Sequence, residues 1–124
     1  MNTLPFASSM ALIIRSGPFS RRSARSQLDM ALAAASLEIQ LELFFIGPGV
    51  LQIITGGEPA AAGLPSGLKA WKSVAELTEV KAWVPDGQWP AIQACGQPML
   101  LNARPLAADE MRARWAGCDR ALVI

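Results

Sequence analysis

Two thiols, a glycine-proline turn and a proline-aspartate turn are the groups in this sequence that could carry chemistry. The thiols are Cys95 and Cys118, too few for a zinc site and too far apart for a C-x-x-C redox pair. A thiolate at Cys95 could accept sulfur as a persulfide, but no cation lies near it in sequence to favour the thiolate. A free cysteine of this kind is most often simply buried. Cys118 falls at the end of the last helical segment, where the helix dipole disfavours a thiolate. Histidine is absent, which removes every imidazole base, and with it Ser-His-Asp and Cys-His catalysis. Most common metal sites go with it. No metal or other cofactor is expected.

The other candidates are backbone features. Gly47-Pro48-Gly49 forces a sharp turn, and Pro85-Asp86-Gly87 is a second strong turn signal. Arg21, Arg22 and Arg25 follow the segment Ser16-Gly17-Pro18-Phe19-Ser20, so three cations stand near a helix start and could hold an anion. No glycine-rich phosphate fingerprint accompanies them, and a solvated basic loop is the ordinary reading.

These candidates are positioned by a stretch from Ser26 to Ile54, SQLDMALAAASLEIQLELFFIGPGVLQII. Leu28, Ala31, Leu32 and Ala35 recur at helical spacing, whereas Ile39, Leu41, Leu43 and Phe45 alternate, so the period changes from helix to strand near Glu38. Ser26 with Asp29 forms a loose capping box that places the helix start near Gln27. The turn Gly47 to Gly49 then lies at the carboxyl end of a strand, where open α/β sheets hold their sites. Val50 to Ile54 continues as a short apolar helical turn.

Before this stretch, Met10 to Ile14 is a continuous apolar run, the mark of a strand covered on both faces. Residues 1–9 read as an N-terminal arm, without the basic start of an export signal. After it, Glu58 to Gly67 reads as a loop. A helix capped by Ser66 follows, with Leu68, Trp71, Val74 and Leu77 as its apolar stripe. Val80, Ala82 and Val84 form a strand from which Trp83 faces the other way. Trp89 to Cys95 reads as a short helix, and Met99 to Leu101 as a brief strand after Gln97-Pro98. Asp109 and Glu110 open a last helix whose Arg112 and Arg114 complement its dipole, and Met111 and Trp115 share its buried face. Ala121 to Ile124 is a final strand, expected to pair inside the sheet. Right-handed crossovers fold this order into a three-layer α/β/α sandwich with a five-stranded, mainly parallel sheet, flavodoxin-like in general layout.

Composition bounds the function. A chain of 124 residues is one expected domain, able to bury roughly 65 to 70 per cent of its unfolded surface. It is 52% hydrophobic and only 17% charged, so apolar surface remains after the core is filled, which predicts a subunit contact and allows self-association when partners are absent. The net charge of +1 supplies no long-range field for nucleic acid or an acidic membrane. No run approaches the roughly eighteen apolar residues of a membrane span. Reduced thiols in the cytoplasm are therefore the expectation. Four tryptophans without a basic stripe point to core or subunit contacts rather than base stacking.

The ordered set LD-ALA-S, FFI-G-GV, the strand ending in Trp83-Val84, and the tail from Ala103-Arg104-Pro105 to Cys118-Asp119-Arg120-Ala121-Leu122-Val123-Ile124 resembles the DsrE/DsrF-like family of sulfur-relay proteins. The resemblance runs from about Met10 to the C-terminus. It implies the sandwich and a heterohexamer of three related subunits, two copies each. Such a complex passes persulfide sulfur to 2-thiouridine of a tRNA wobble position or along a sulfur-oxidation pathway. The sister subunits would be TusD/DsrE-like and TusB/DsrH-like, and tRNA would be met only through the complex.

In the TusD/DsrE-like sister, the sulfur-accepting cysteine follows the strand that matches Val80 to Val84. Here that place is Pro85-Asp86-Gly87, so the chain resembles the subunit without the sulfur carrier. Pro48 stands where the family often has an acidic residue. The leading expectation is a non-catalytic subunit, with Gly47, Pro48, Gly49, Pro85 and Asp86 as loop or interface residues. Two alternatives stay open: a Cys95-dependent persulfide carrier, and a flavodoxin-type binder of a phosphate-containing ligand at Gly47 to Gly49 and the arginine loop.

Overall fold

Ala11-Leu12-Ile13-Ile14 is buried on both faces of an interior strand of the sheet, which is why its sequence shows no alternation. In this computed structural model, residues 9–17, 21–54, 70–96 and 99–123 are described, and of residues 21–25 the backbone alone. Strand β1 (Ser9–Ile14) pairs in parallel with β2 (Gln40–Phe45) on one side and β5 (Arg120–Val123) on the other. β2 pairs with β3 (Val80–Pro85), and β3 with β4 (Ala103–Leu106), again in parallel. The sheet order is β4-β3-β2-β1-β5.

This order assigns the helices to layers. Each step from β1 to β4 moves the same way across the sheet, so right-handed crossovers put three helices on one face; the return to β5 puts one on the other. Helix α1 (Arg21–Ser36) presents Leu28, Ala31, Ala34 and Ala35, α2 (Trp71–Leu77) presents Trp71 and Val74, and α3 (Trp89–Cys95) presents Ile92. They pack on Leu12, Ile14, Leu41, Leu43, Phe45, Ala82 and Val84. On the opposite face, Met111 of α4 (Ala108–Ala116) packs with Ala11, Ile13 and Phe44. Two edge-to-face ring pairs join helix to sheet, Phe45 with Trp71 at 5.2 Å and Phe44 with Trp115 at 5.4 Å. Each such pair contributes about 1 kcal/mol beyond its buried area.

One polar residue is sealed into the three-helix layer. Gln52, with 0% exposure, donates through Nε2 to the Ser16 carbonyl and to Gln27 Oε1, both at 2.7 Å, and its Oε1 accepts from Trp71 Nε1 at 3.2 Å. A buried amide is tolerated when its donors and acceptor are satisfied. The result ties the segment after β1, helix α1 and helix α2 to one side chain.

The sandwich agrees with the sequence, but four local expectations are corrected. Helix α1 starts at Arg21 rather than near Gln27, so Ser26 and Asp29 lie inside it; arginine is a good helix former, and Ser26 sits exposed where a serine costs little. Met99 to Leu101 is not a strand. Leu100 and Leu101 are buried as a packed loop, held by Leu100 N–H donating to the Ile53 carbonyl at 2.7 Å, and the strand is Ala103–Leu106, which contains Arg104 and Pro105. That strand is at the sheet edge, where Pro105 is tolerated. The last strand is paired on one side only and is exposed along its length, because it stands at the sheet edge beside β1. Leu77 ends the α2 stripe 47% exposed. Residues 1–8 of the proposed arm, the loop Glu58 to Gly67 with its Ser66 cap, Leu68, and Gln97-Pro98 lie outside the described residues.

Replacing Gln52 by leucine leaves the Trp71 indole N–H and the Ser16 carbonyl without this buried partner. A loss of about 3 kcal/mol is expected. It should appear as a lowered urea midpoint with unchanged slope.

Candidate functional site

Four consecutive parallel strands bring their carboxyl ends to one edge, and there the two predicted turns meet. β2 leads through Ile46 into a 3-10 helix, Gly47–Gln52, with Pro48 in its first turn. Pro48 suits this place because its missing N–H would have no helical partner and its φ is already set. Gly47 has φ 53°, a conformation glycine adopts without cost. Gly49 is required for a different reason: a Cβ there would lie 2.1 Å from the Ile14 carbonyl oxygen. The turn rests directly on the backbone of β1, with Ile46 N–H donating to the same Ile14 oxygen at 3.0 Å.

β3 ends in Pro85, and Asp86–Gln88 forms a single 3-10 turn leading into α3. Gln88 reaches across to the neighbouring turn. Its Oε1 accepts from Gly47 N–H at 3.0 Å and its Nε2 donates to the Gly47 carbonyl at 3.3 Å. The structure thus brings Gly47, Pro48, Gly49, Pro85 and Asp86 to one edge, with Pro48 and Asp86 exposed and Pro85 half-buried. The Gly49 N–H is also engaged, by the Ile46 carbonyl at 3.0 Å. With both glycine amides spent and proline offering none, the turn has no free N–H in this segment to cradle a phosphate. Arg21, Arg22 and Arg25 are in the first turns of α1, and their side chains lie outside the described residues.

Neither thiol is at this edge. Cys95 is the last residue of α3, exposed and free, just before Gly96 with φ 66°. Because α3 runs back toward the amino edge, its seven residues carry Cys95 roughly 10 Å from the turn at Asp86–Gln88. Cys118 follows α4 and is half-buried. Its Sγ lies 3.6 Å from the Arg114 carbonyl and 3.9 Å from Glu42 Oε2. Burial pushes the Cys118 thiol up from its usual pKa, and the Glu42 carboxylate adds to the rise, while a Ser9 hydrogen bond and the Arg114 charge oppose it. The direction matches the sequence expectation, but desolvation and Glu42 cause it.

One constellation escaped sequence reasoning. Arg114 Nε donates to Glu42 Oε1 at 2.6 Å, Trp83 Nε1 donates to the same oxygen at 2.9 Å, and the Arg114 guanidinium lies 4.5 Å over the Trp83 ring. This cluster fastens α4 to β2 and β3. The signal was Glu42 itself, a lone carboxylate within the strand QLELFF. Among the described residues no His, Cys, Asp and Glu group could hold a metal, and no helix is long and apolar enough to cross a membrane.

A parallel five-stranded sandwich whose carboxyl edge is closed by two interlocked turns defines the class, and the chain belongs to the DsrE/DsrF-like family, whose model matches residues 8–123. It is similar to protein TusC of Escherichia coli O127:H6 and to protein TusC of Shigella flexneri. Each is 28% identical over 111 residues, which make up 89% of this chain and 93% of the relative. Among solved structures it resembles the ychN protein from E. coli, with a TM-score of 0.73 and 16% identity, covering 94% of this chain and 99% of that one. At that identity the likeness is one of fold.

Gly49→Ala should destabilise the chain by about 2 kcal/mol or more, since either the turn or β1 must move; the thermal midpoint reads this. Alkylation followed site by site should label Cys95 readily. Cys118 should react at full rate only at a pH above the ordinary thiol range, because a raised pKa leaves less thiolate at any given pH.

Proposed function

We propose that the chain is a non-catalytic subunit of a persulfide-relay complex, in a role like that of TusC. It would assemble with TusD/DsrE-like and TusB/DsrH-like sisters, two copies of each. The observation that carries this reading is the end of β3. Where the sulfur-accepting cysteine of a TusD/DsrE-like sister is expected, this chain has Pro85-Asp86, followed by a turn whose Gln88 locks onto Gly47. Proline cannot form a persulfide, and the two thiols are elsewhere. Likeness to TusC favours delivery toward tRNA 2-thiouridine over sulfur oxidation, with tRNA met through the complex and the work done in the cytoplasm.

Exposed apolar side chains support an assembling subunit. Leu51 beside the carboxyl-edge turn is 47% exposed, and Val123 on the open edge strand 60%. The open edge of β5 at Val123 is also a row of backbone groups with which another chain can pair. The closed edge, Gly47 to Gly49 with Pro85 and Asp86, would then act as a shaped contact surface rather than a reacting centre.

Exposure of the Cys95 thiol favours a second reading, in which this chain carries persulfide itself. Under that reading alone, Cys95→Ser abolishes sulfur loading of the isolated chain.

Co-expression with the two sister subunits should give a native mass equal to two copies of each of the three chains. Persistent separation of this chain from both sisters would refute the proposal.

A further inference from the structure

The amino edge of the sheet, opposite the interlocked turns, contains a notch. β3 pairs with β2 from Val80 onward, but β4 joins β3 only at Ala82, opposite Ala103. Val80 and Lys81 therefore have a strand on one side and an opening on the other. A cavity of about 340 Å³ occupies this opening, within the range of small-ligand sites. Its walls include Val80, Leu101 and Trp83, and its polar groups include Lys81, Arg104 and Asn102.

Charge in the notch has one sign. No carboxylate is among its described lining residues. Neither Lys81 nor Arg104 has an ion pair among the described residues. Glu42, the cross-strand neighbour of Lys81, is already engaged by Arg114 and Trp83. The register places Arg104 opposite Trp83, two residues along from Lys81, so both cations project to the same face of the sheet. The cavity draws its lining from both faces at this open end of the sheet: Val80 and Leu101 pack with the three-helix layer, and Trp83 packs with the layer of α4. Two uncompensated cations beside one opening attract anions. The arginine fork and the lysine point charge suit phosphate or carboxylate oxygens, and the amide of Asn102 adds donors. The apolar wall favours an organic body over a bare ion.

We propose that this notch binds a small organic anion, its phosphate or carboxylate held by Lys81 and Arg104 and its apolar body against Val80, Leu101 and Trp83. The site is separate from the carboxyl-edge turns and uses neither thiol.

The test titrates the full chain and follows the indole N–H resonance of Trp83. Phenyl phosphate and benzoate are the two anionic probes, with phenol supplying the body alone and inorganic phosphate the charge alone. At least one anionic probe should shift the resonance saturably, and phenol and inorganic phosphate should bind at least about tenfold more weakly. The stronger of the two anionic probes tells phosphate from carboxylate chemistry. Lys81→Ala and Arg104→Ala should each weaken binding about tenfold or more. Both side chains are exposed, so the thermal midpoint should hold. No saturable shift up to about ten millimolar probe would overturn the proposal. So would inorganic phosphate binding as well as phenyl phosphate, or binding that survives both substitutions.

Discussion

Gly49 sits on the backbone of β1 with no room for a Cβ, and the carboxyl edge of the molecule depends on that contact. It brings the turn after β2 close enough for Gly47 to be gripped by Gln88, which fixes the turn after β3 in its place. Further along the same 3-10 helix, Gln52 holds the segment after β1 and both α1 and α2 through three hydrogen bonds. A single six-residue helix therefore orders three strand ends. Rigidity of this kind suits a surface that must keep its shape for a partner, and it leaves little freedom for a loop that must open around a substrate.

The two faces of the sheet are held differently. Three helices cover one face with aliphatic and aromatic packing, an interaction that needs no exact pairing of groups. On the other face α4 is the one helix seated among the described residues, and its position is fixed by the Glu42, Arg114 and Trp83 cluster as well as by Met111 and Trp115. A partly buried ion pair contributes less to net stability than its distance suggests, because desolvating both groups opposes the attraction. Its effect here is orientation. It holds α4 against β2 through Glu42 and against β3 through Trp83.

Elements whose signal is local were legible in the sequence. The apolar run of β1, the change of period near Glu38 and the facing of Trp83 opposite to Ala82 and Val84 all follow from which face each residue must bury, and the structure repeats them, with Glu38 at φ 61° marking the change. The glycine turn was legible as a turn, and its closeness to Pro85-Asp86 follows from the parallel order. What was hidden depends on contacts distant in sequence. Glu42 and Arg114 are 72 positions apart, and neither declares the other. Met99 to Leu101 looks like a strand because it is apolar, yet burial there is achieved by a loop, while edge position allowed the proline-containing Ala103–Leu106 to be the strand. The edge placement of β5 was equally invisible, since an apolar terminal strand reads the same whether its outer side is paired or open.

The central claim is that this chain supports sulfur transfer without carrying sulfur. The most direct measurement is the rate of persulfide transfer through the complex assembled with a Cys95→Ser, Cys118→Ser chain. Neither thiol occupies the closed carboxyl edge, and the Cys118 pKa is raised. The account therefore predicts transfer at the rate of the unsubstituted complex. A collapse of transfer in an intact complex, with the partner's cysteine still loaded, would contradict it and make a thiol of this chain an obligatory station in the relay.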